Sequence, residues 1–119
     1  SPDSALAALN LLQDLDGRRI AVLGDMLELG TAEHQAHRRV GIRAAEVADV
    51  LVTVGPRSRV IAVAAIDAGL PRDSVIEVND APEAVPVLND LIEAGDVVLI
   101  KGSLGMAMDR IVSAIGRDA

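Results

Sequence analysis

The sequence contains no phenylalanine, tyrosine, tryptophan or cysteine. Without aromatic rings the core has to be assembled from Val, Ile, Leu, Met and Ala, with Ala-rich helices packing close. A nucleotide base would find no aromatic face to stack on. Without cysteine there are no disulfides and no thiolate metal sites. That fits a reducing compartment, and the cytoplasm is the expected location. No apolar run reaches the about 20 residues that a bilayer span needs, and no signal peptide is recognisable. Positive charge is scarce: 11 Lys and Arg stand against 18 Asp and Glu, a net charge of -7. That balance argues against a nucleic-acid phosphate footprint, so neither nucleic acid nor membrane is an expected partner. Two nucleotide motifs are missing as well. The Gly-x4-Gly-Lys-Ser/Thr phosphate loop occurs nowhere, and the absence of Gly-x-Gly-x-x-Gly counts against NAD or FAD. An initiator methionine is lacking too, since the chain begins Ser1-Pro2. A piece of a longer protein is expected.

What is present reads as one ordered domain over residues 1–119, with 50% hydrophobic residues and room for a single core. Ser1 can cap a helix with Pro2 at its first position; Leu6, Leu9 and Leu12 give its apolar face, and Gly17 closes it. A strand at Arg19–Leu23 follows. Thr31 can cap a second helix, which runs to about Ala48 with Ala36, Val40, Ala44 and Val47 on one face. Val50–Val54 is a second strand, stopped by Gly55-Pro56, and a helix from Ser58 to Ala68 comes next. The third strand is Val75–Val78. Asp80 with Glu83 has the form of a capping box. Pro86 would cost about 3 kcal/mol inside a helix, so that helix either kinks there or begins its regular part near Val85. The fourth strand is Val97–Ile100, and Met108, Ile111, Val112 and Ile115 pattern a last helix. Strands alternating with helices, each strand a continuous apolar run, imply a Rossmann-like three-layer α/β domain. Its sheet is mainly parallel and covered by helices on both faces. Right-handed crossovers make 3-2-1-4 the simplest strand order. The turns after Gly24 and after Lys101 would then share one crevice at a topological switch point.

The residues with chemistry cluster in those two turns. Lys101-Gly102-Ser103-Leu104-Gly105 can present backbone N–H groups and a lysine charge to an anion, or be a tight turn with a solvated lysine. Asp25 and Glu28 can bind a cation, orient an ammonium group or sit in water, while Met26 fills space between crevice and core. His34 and His37 lie one helical turn apart, but no further Cys or His completes a metal site. His37 at the edge of the helix face is expected to steady the loop. Arg57 and Arg59 could reach an anion, and Asn79-Asp80 reads as a helix cap.

Gly24-Asp-Met-Leu-Glu-Leu-Gly30 followed by His37-Arg-Arg-Val-Gly41, with Ser1-Pro-Asp-Ser4, Val54-Gly55 and Gly95-Asp-Val-Val-Leu-Ile-Lys-Gly-Ser103, resembles the C-terminal domain of the Mur ligases. The match is strongest to the branch that adds D-alanyl-D-alanine to UDP-N-acetylmuramoyl-tripeptide in peptidoglycan synthesis. The resemblance implies a three-domain, ATP- and magnesium-dependent amide ligase working through an acyl phosphate. Its central domain carries the phosphate loop and magnesium ligands, so no cofactor is expected in this domain, and alone it should form no amide bond. Its C-terminal domain binds the incoming dipeptide and closes over ATP. Carried over by position, Lys101, Gly102 and Ser103 would face the dipeptide or the reacting centre. Asp25 and Glu28 would form the opposite lip, with Met26 and Leu27 shaping the wall. Many relatives carry an arginine after Lys-Gly-Ser, where this chain has Leu104. Two other classes compete: a signalling receiver domain and a stand-alone ligand-binding module. A receiver needs an acidic pair after strand one and a phosphorylatable Asp after a central strand, whereas here Val54 is followed by Gly-Pro.

Overall fold

Strands β1 (Arg19–Gly24), β2 (Val50–Val54), β3 (Val75–Val78) and β4 (Val97–Lys101) alternate with helices α1 (Pro2–Gln13), α2 (Glu33–Val47), α3 (Arg59–Asp67), α4 (Ala81–Leu91) and α5 (Met108–Ala114). The computed structural model describes residues 1–103 and 106–115. The strands form one sheet in the order β3-β2-β1-β4, all pairs parallel, as the alternation predicts. Leu23 of β1 lies beside both Thr53 of β2 and Lys101 of β4. The first and last strands are therefore neighbours, and the loops leaving them start side by side.

The two-residue period of a strand sends alternate side chains to opposite faces, and both faces are covered. Ala21, Leu23 and Leu51 pack with Leu9 of α1, Val40 and Ala44 of α2, and Ile61 and Ala65 of α3. Ile20, Val22, Val52 and Val54 pack with Ala84 and Leu88 of α4 and Met108 and Ile111 of α5. Full burial of Leu9, Leu51 or Leu88 contributes about 1.5–3 kcal/mol each. The small residues allow the close packing that a ring-free core needs. At Gly41 of α2 an added Cβ would stand 2.5 Å from the carbonyl oxygen of Ile61, so α2 and α3 meet backbone to backbone.

At the opposite ends of β1 and β4 from those loops, the sheet is stapled by charge. Arg18 donates from Nε and Nη2 to the Asp96 carboxylate (3.1 and 2.7 Å) and from Nη2 to the Leu91 carbonyl. That guanidinium, helped by the Glu93 N–H, holds the Asp96 carboxyl below its ordinary pKa. Arg43 clasps α1 to α2 through Asn10 and Gln13.

The helices differ from expectation in four places, two of them boundaries and two of them buried faces. Thr31 does not cap α2: residues Gly30–Ala32 form a 3₁₀ turn, and α2 starts at Glu33 without a side-chain cap. The 3₁₀ turn already leads the chain into the helix direction, so no hydroxyl is called for. In α1, Ala5 joins Leu9 and Leu12 in the buried stripe and Leu6 packs at its margin. Val112 of α5 is 61% exposed, because Met108 and Ile111 take the face that meets the sheet. α4 begins at Ala81, with Pro86 inside it and exposed. Its cap is strong enough to start it there: Asp80 Oδ1 accepts from the Glu83 N–H at 3.0 Å. The Glu83 carboxylate in turn accepts from the main-chain and side-chain N–H groups of Asn79 (2.8 and 3.1 Å). The reciprocal bond of the box thus reaches one residue further back than the usual pattern. These bonds from Asn79, the main-chain one foremost, lower the Glu83 pKa.

Candidate functional site

The turn after β1 and the turn after β4 meet. The Ser103 N–H donates to the Asp25 carbonyl at 3.2 Å, and the Leu27 N–H donates to Ser103 Oγ at 2.9 Å. Ser103 thus binds the acidic loop through both main chain and side chain. Beneath this junction Met108 fills the gap between Gly24 and Gly102. A Cβ on Gly24 would lie 2.9 Å from Met108 Sδ, and one on Gly102 would lie 2.7 Å from Met108 Cγ. The two strand ends approach because neither of these residues carries a side chain.

A small cleft with room for about one water molecule opens over the junction on the α1 side, lined by Ser1, Gly24, Met26, Lys101, Gly102 and Ser103 among others. The two turns thus share one cleft, and its lining includes Lys101, Gly102, Ser103 and Met26. Leu104 and Gly105, the rest of that anion-loop motif, lie outside the described residues. Met26 is buried, packed with Leu23 and Val40 in the α1–α3 layer.

Asp25 and Glu28, paired in the sequence reading, are placed in opposite environments. Glu28 is exposed and has φ 63°, a left-handed conformation that non-glycine residues adopt at a cost. Asp25 has no accessible surface. Its Oδ1 accepts from the N–H of Ser58 (2.7 Å) and from the Ser58 hydroxyl (2.6 Å). Its Oδ2 lies 3.6 Å from Nη1 of Arg57. The Asp25 carboxylate thus turns inward, onto the β2–α3 turn, and offers the cleft no oxygen in this conformation. Arg57 also donates from Nε to Glu33 Oε1 at 2.8 Å. That bond to Glu33, with Glu33's charge and then Asp25's, raises the Arg57 pKa.

His37 ties the loop to α2. It is fully buried, its Nε2 accepts from the Met26 N–H at 3.0 Å, and its Nδ1 lies 2.7 Å from the Glu33 carbonyl. A carbonyl can only accept, so the proton sits on Nδ1 and Nε2 is free to receive Met26. These two contacts join the loop after β1 to the first turn of α2. His34 is exposed and lines a groove between α2 and α3 with Arg38 and Arg59, on a different face of the helix. Arg59 donates to Asn79 Oδ1 at 2.7 Å. Among the described residues no group of three His, Asp or Glu side chains could hold a metal ion.

Sequence reasoning missed the contribution of the Gly55–Ser58 turn. Ser58, expected as the first residue of the helix, stands just before α3 and its side chain makes no cap bond; it serves Asp25 and the Val54 carbonyl instead. The available signal was the glycine directly after β2, a position where close approach of another group is common.

Comparison with known proteins agrees with this geometry. The family described as Mur ligase, glutamate ligase domain matches residues 1–104. The UDP-N-acetylmuramoyl-tripeptide--D-alanyl-D-alanine ligase of Bacillus subtilis is 32% identical over 115 residues, covering 94% of this chain and 25% of that protein. The Escherichia coli ligase of the same name is 34% identical over 116 residues, covering 94% and 24%. A crystal structure of MurF from Acinetobacter baumannii superposes with a TM-score of 0.77 at 32% identity, over 95% of this chain and 25% of that one. The chain thus spans about a quarter of the length of the curated relatives it matches. Neither a receiver nor an unrelated binding module accounts for these likenesses: the chain belongs to the Mur ligase family, as a Mur ligase C-terminal domain.

Proposed function

We propose that this chain is the C-terminal substrate-binding and closing domain of a three-domain, ATP-dependent amide ligase. That enzyme would add D-alanyl-D-alanine to UDP-N-acetylmuramoyl-tripeptide during peptidoglycan synthesis in the cytoplasm. The observation that carries the reading is the junction of the two turns through Ser103, Asp25 and Leu27, in a chain about a third identical to such ligases. A zwitterionic dipeptide needs a cation and hydrogen-bond donors for its carboxylate, and acceptors for its ammonium group. Lys101 supplies the cation and the Ser103 hydroxyl, whose oxygen has accepted the Leu27 N–H, supplies a donor beside Gly102, the Ser103 N–H being spent on Asp25. Glu28, exposed on the opposite lip, supplies the acceptors, and Met26 supports the wall between them. Asp25 and His37 keep the loop in place from behind.

ATP and magnesium belong to the whole enzyme in this reading. The chain carries no phosphate loop and its described residues no metal cluster, so no nucleotide or metal step is assigned to its own side chains. The N-terminal and central domains would be its partners. Domain closure would bring the crevice over the acyl phosphate and exclude water from it.

The test is steady-state kinetics of the full-length ligase carrying Lys101→Ala or Glu28→Ala. A rise in KM for D-alanyl-D-alanine, with KM for the nucleotide precursor unaltered, supports the assignment. Unchanged kcat/KM for the dipeptide in both variants removes these residues from the site.

A further inference from the structure

Ser58 spends its hydroxyl on a buried carboxylate, and the consequence reaches the crevice. The side chain has no accessible surface. Its Oγ lies 2.6 Å from Asp25 Oδ1 and 2.9 Å from the Val54 carbonyl, and its N–H adds a third contact at 2.7 Å. Asp25 therefore sits at the start of α3 like a cap donated from another loop, where the helix dipole favours negative charge. Gly55 clears the space, since any Cβ there would stand 2.5 Å from Oδ1.

The arrangement is costly for a device that only stabilises the fold. A carboxylate is held away from water with Oδ2 making no hydrogen bond, compensated by an arginine at 3.6 Å. Buried charges of this kind are weak contributors to net stability. What the arrangement does achieve is transmission. The side chain of Asp25 answers to Ser58, and the main-chain carbonyl of the same residue receives the Ser103 N–H. One residue thus links the first turn of α3 to the loop that follows β4.

We propose that Ser58 is a positioning residue: acting through the Asp25 carboxylate, it sets where the β1 loop meets Ser103 and so the spacing of the two lips of the crevice. The role in catalysis rests on the function proposed above, whereas the mechanical coupling does not.

The experiment has two readouts. Amide NMR spectra of this chain and of Ser58→Ala report the coupling directly. In Ser58→Ala the Leu27 and Ser103 resonances are expected to move, although the hydrogen bonds of Ser58 go to Asp25 and Val54. Kinetics of the full-length ligase report its use: KM for D-alanyl-D-alanine is expected to rise roughly tenfold with kcat little changed, as for a small misplacement of binding groups. Ser58→Thr, which keeps the hydroxyl, is expected to restore most of the parental KM. If Ser58→Ala does not fold, Asp25→Asn is read in its place and should move the same two amides. Leu27 and Ser103 amides unmoved in a folded variant would overturn the proposal. Moved amides with an unaltered KM would leave the coupling standing and count against the dipeptide site. A fall in kcat at constant KM, not restored by Thr, would mark Ser58 as structural only and overturn its positioning role.

Discussion

The α-carbon of Gly55 faces the carboxylate of Asp25 so closely that a methyl group on it would stand 2.5 Å from Oδ1 and 2.7 Å from Cγ. Gly55 also has φ 111°, which L side chains rarely adopt. Gly55→Ala therefore meets two penalties at once, backbone strain and a displaced buried carboxylate. The expected loss is on the order of 3 kcal/mol, read from the midpoint of urea unfolding. An unfolding curve superimposable on the parent's would show that the carboxylate has somewhere else to go.

His37→Ala leaves the Met26 N–H and the Glu33 carbonyl without their buried partner and opens a void beneath the loop. Each unsatisfied group costs about 1–3 kcal/mol, so a loss of about 3 kcal/mol is expected. Faster hydrogen exchange should appear at Met26 and Leu27 before it appears in β1. Exchange that accelerates uniformly over the chain would mean His37 supports the whole core and not the loop in particular.

Glu28 pays for its left-handed backbone, so substitutions there sort by conformation and not by polarity. Asn, which tolerates this region, should raise stability slightly. The β-branched Glu28→Val should lower it by about 1–2 kcal/mol. Differential scanning calorimetry of the two variants should rank them Asn above parent above Val.

Acid sensitivity should localise to two carboxylates. Asp96, held down chiefly by the Arg18 hydrogen bond, and Glu83, held down chiefly by the Asn79 N–H, have folded pKa values below their ordinary ones. A depressed carboxyl contributes stability at pH above its unfolded value, and that contribution is lost as pH falls through the folded value. The window therefore lies below the ordinary 3.8 of Asp96 and 4.5 of Glu83. Arg18 and Arg57, both raised above the ordinary arginine value by their carboxylate partners, add nothing to the acid limb. Comparing urea midpoints at neutral pH and at about pH 3, Asp96→Asn and Glu83→Gln should show a smaller acid-induced drop than the parent.

The layer order was legible because it follows from coarse patterning. Runs such as Ile20–Leu23 and Leu51–Val54 can be buried on both faces only in a covered parallel sheet, and chirality then leaves few strand orders. The meeting of the two loops followed from that order. What could not be read was the direction of individual side chains inside the loops. Asp25 and Glu28 look equivalent along the chain, yet the first is drawn inward by Ser58, which lies beyond an intervening helix and strand. That attraction depends on Gly55 leaving room, a tertiary fact without local signature. Thr31 failed as a cap for a similar reason: a Thr before a helical pattern is a good start signal, but the 3₁₀ turn in which it sits moved the start one residue on, to Glu33. Periodicity placed His37 at the margin of the α2 face, whereas its bond to the Met26 N–H is a tertiary contact that periodicity does not carry.

The acidic lip is tethered from three directions: Ser58 grips its side chain, His37 grips its backbone at Met26, and Ser103 grips it from the neighbouring strand. A segment fastened this way to the end of the central strand cannot fold over a guest like a flap. It travels with the sheet as one stiff jaw. In the three-domain ligase proposed above, opening and shutting would then fall to whatever joins this domain to its neighbours, and a longer or shorter connector would alter turnover while leaving the jaw's own spectrum untouched.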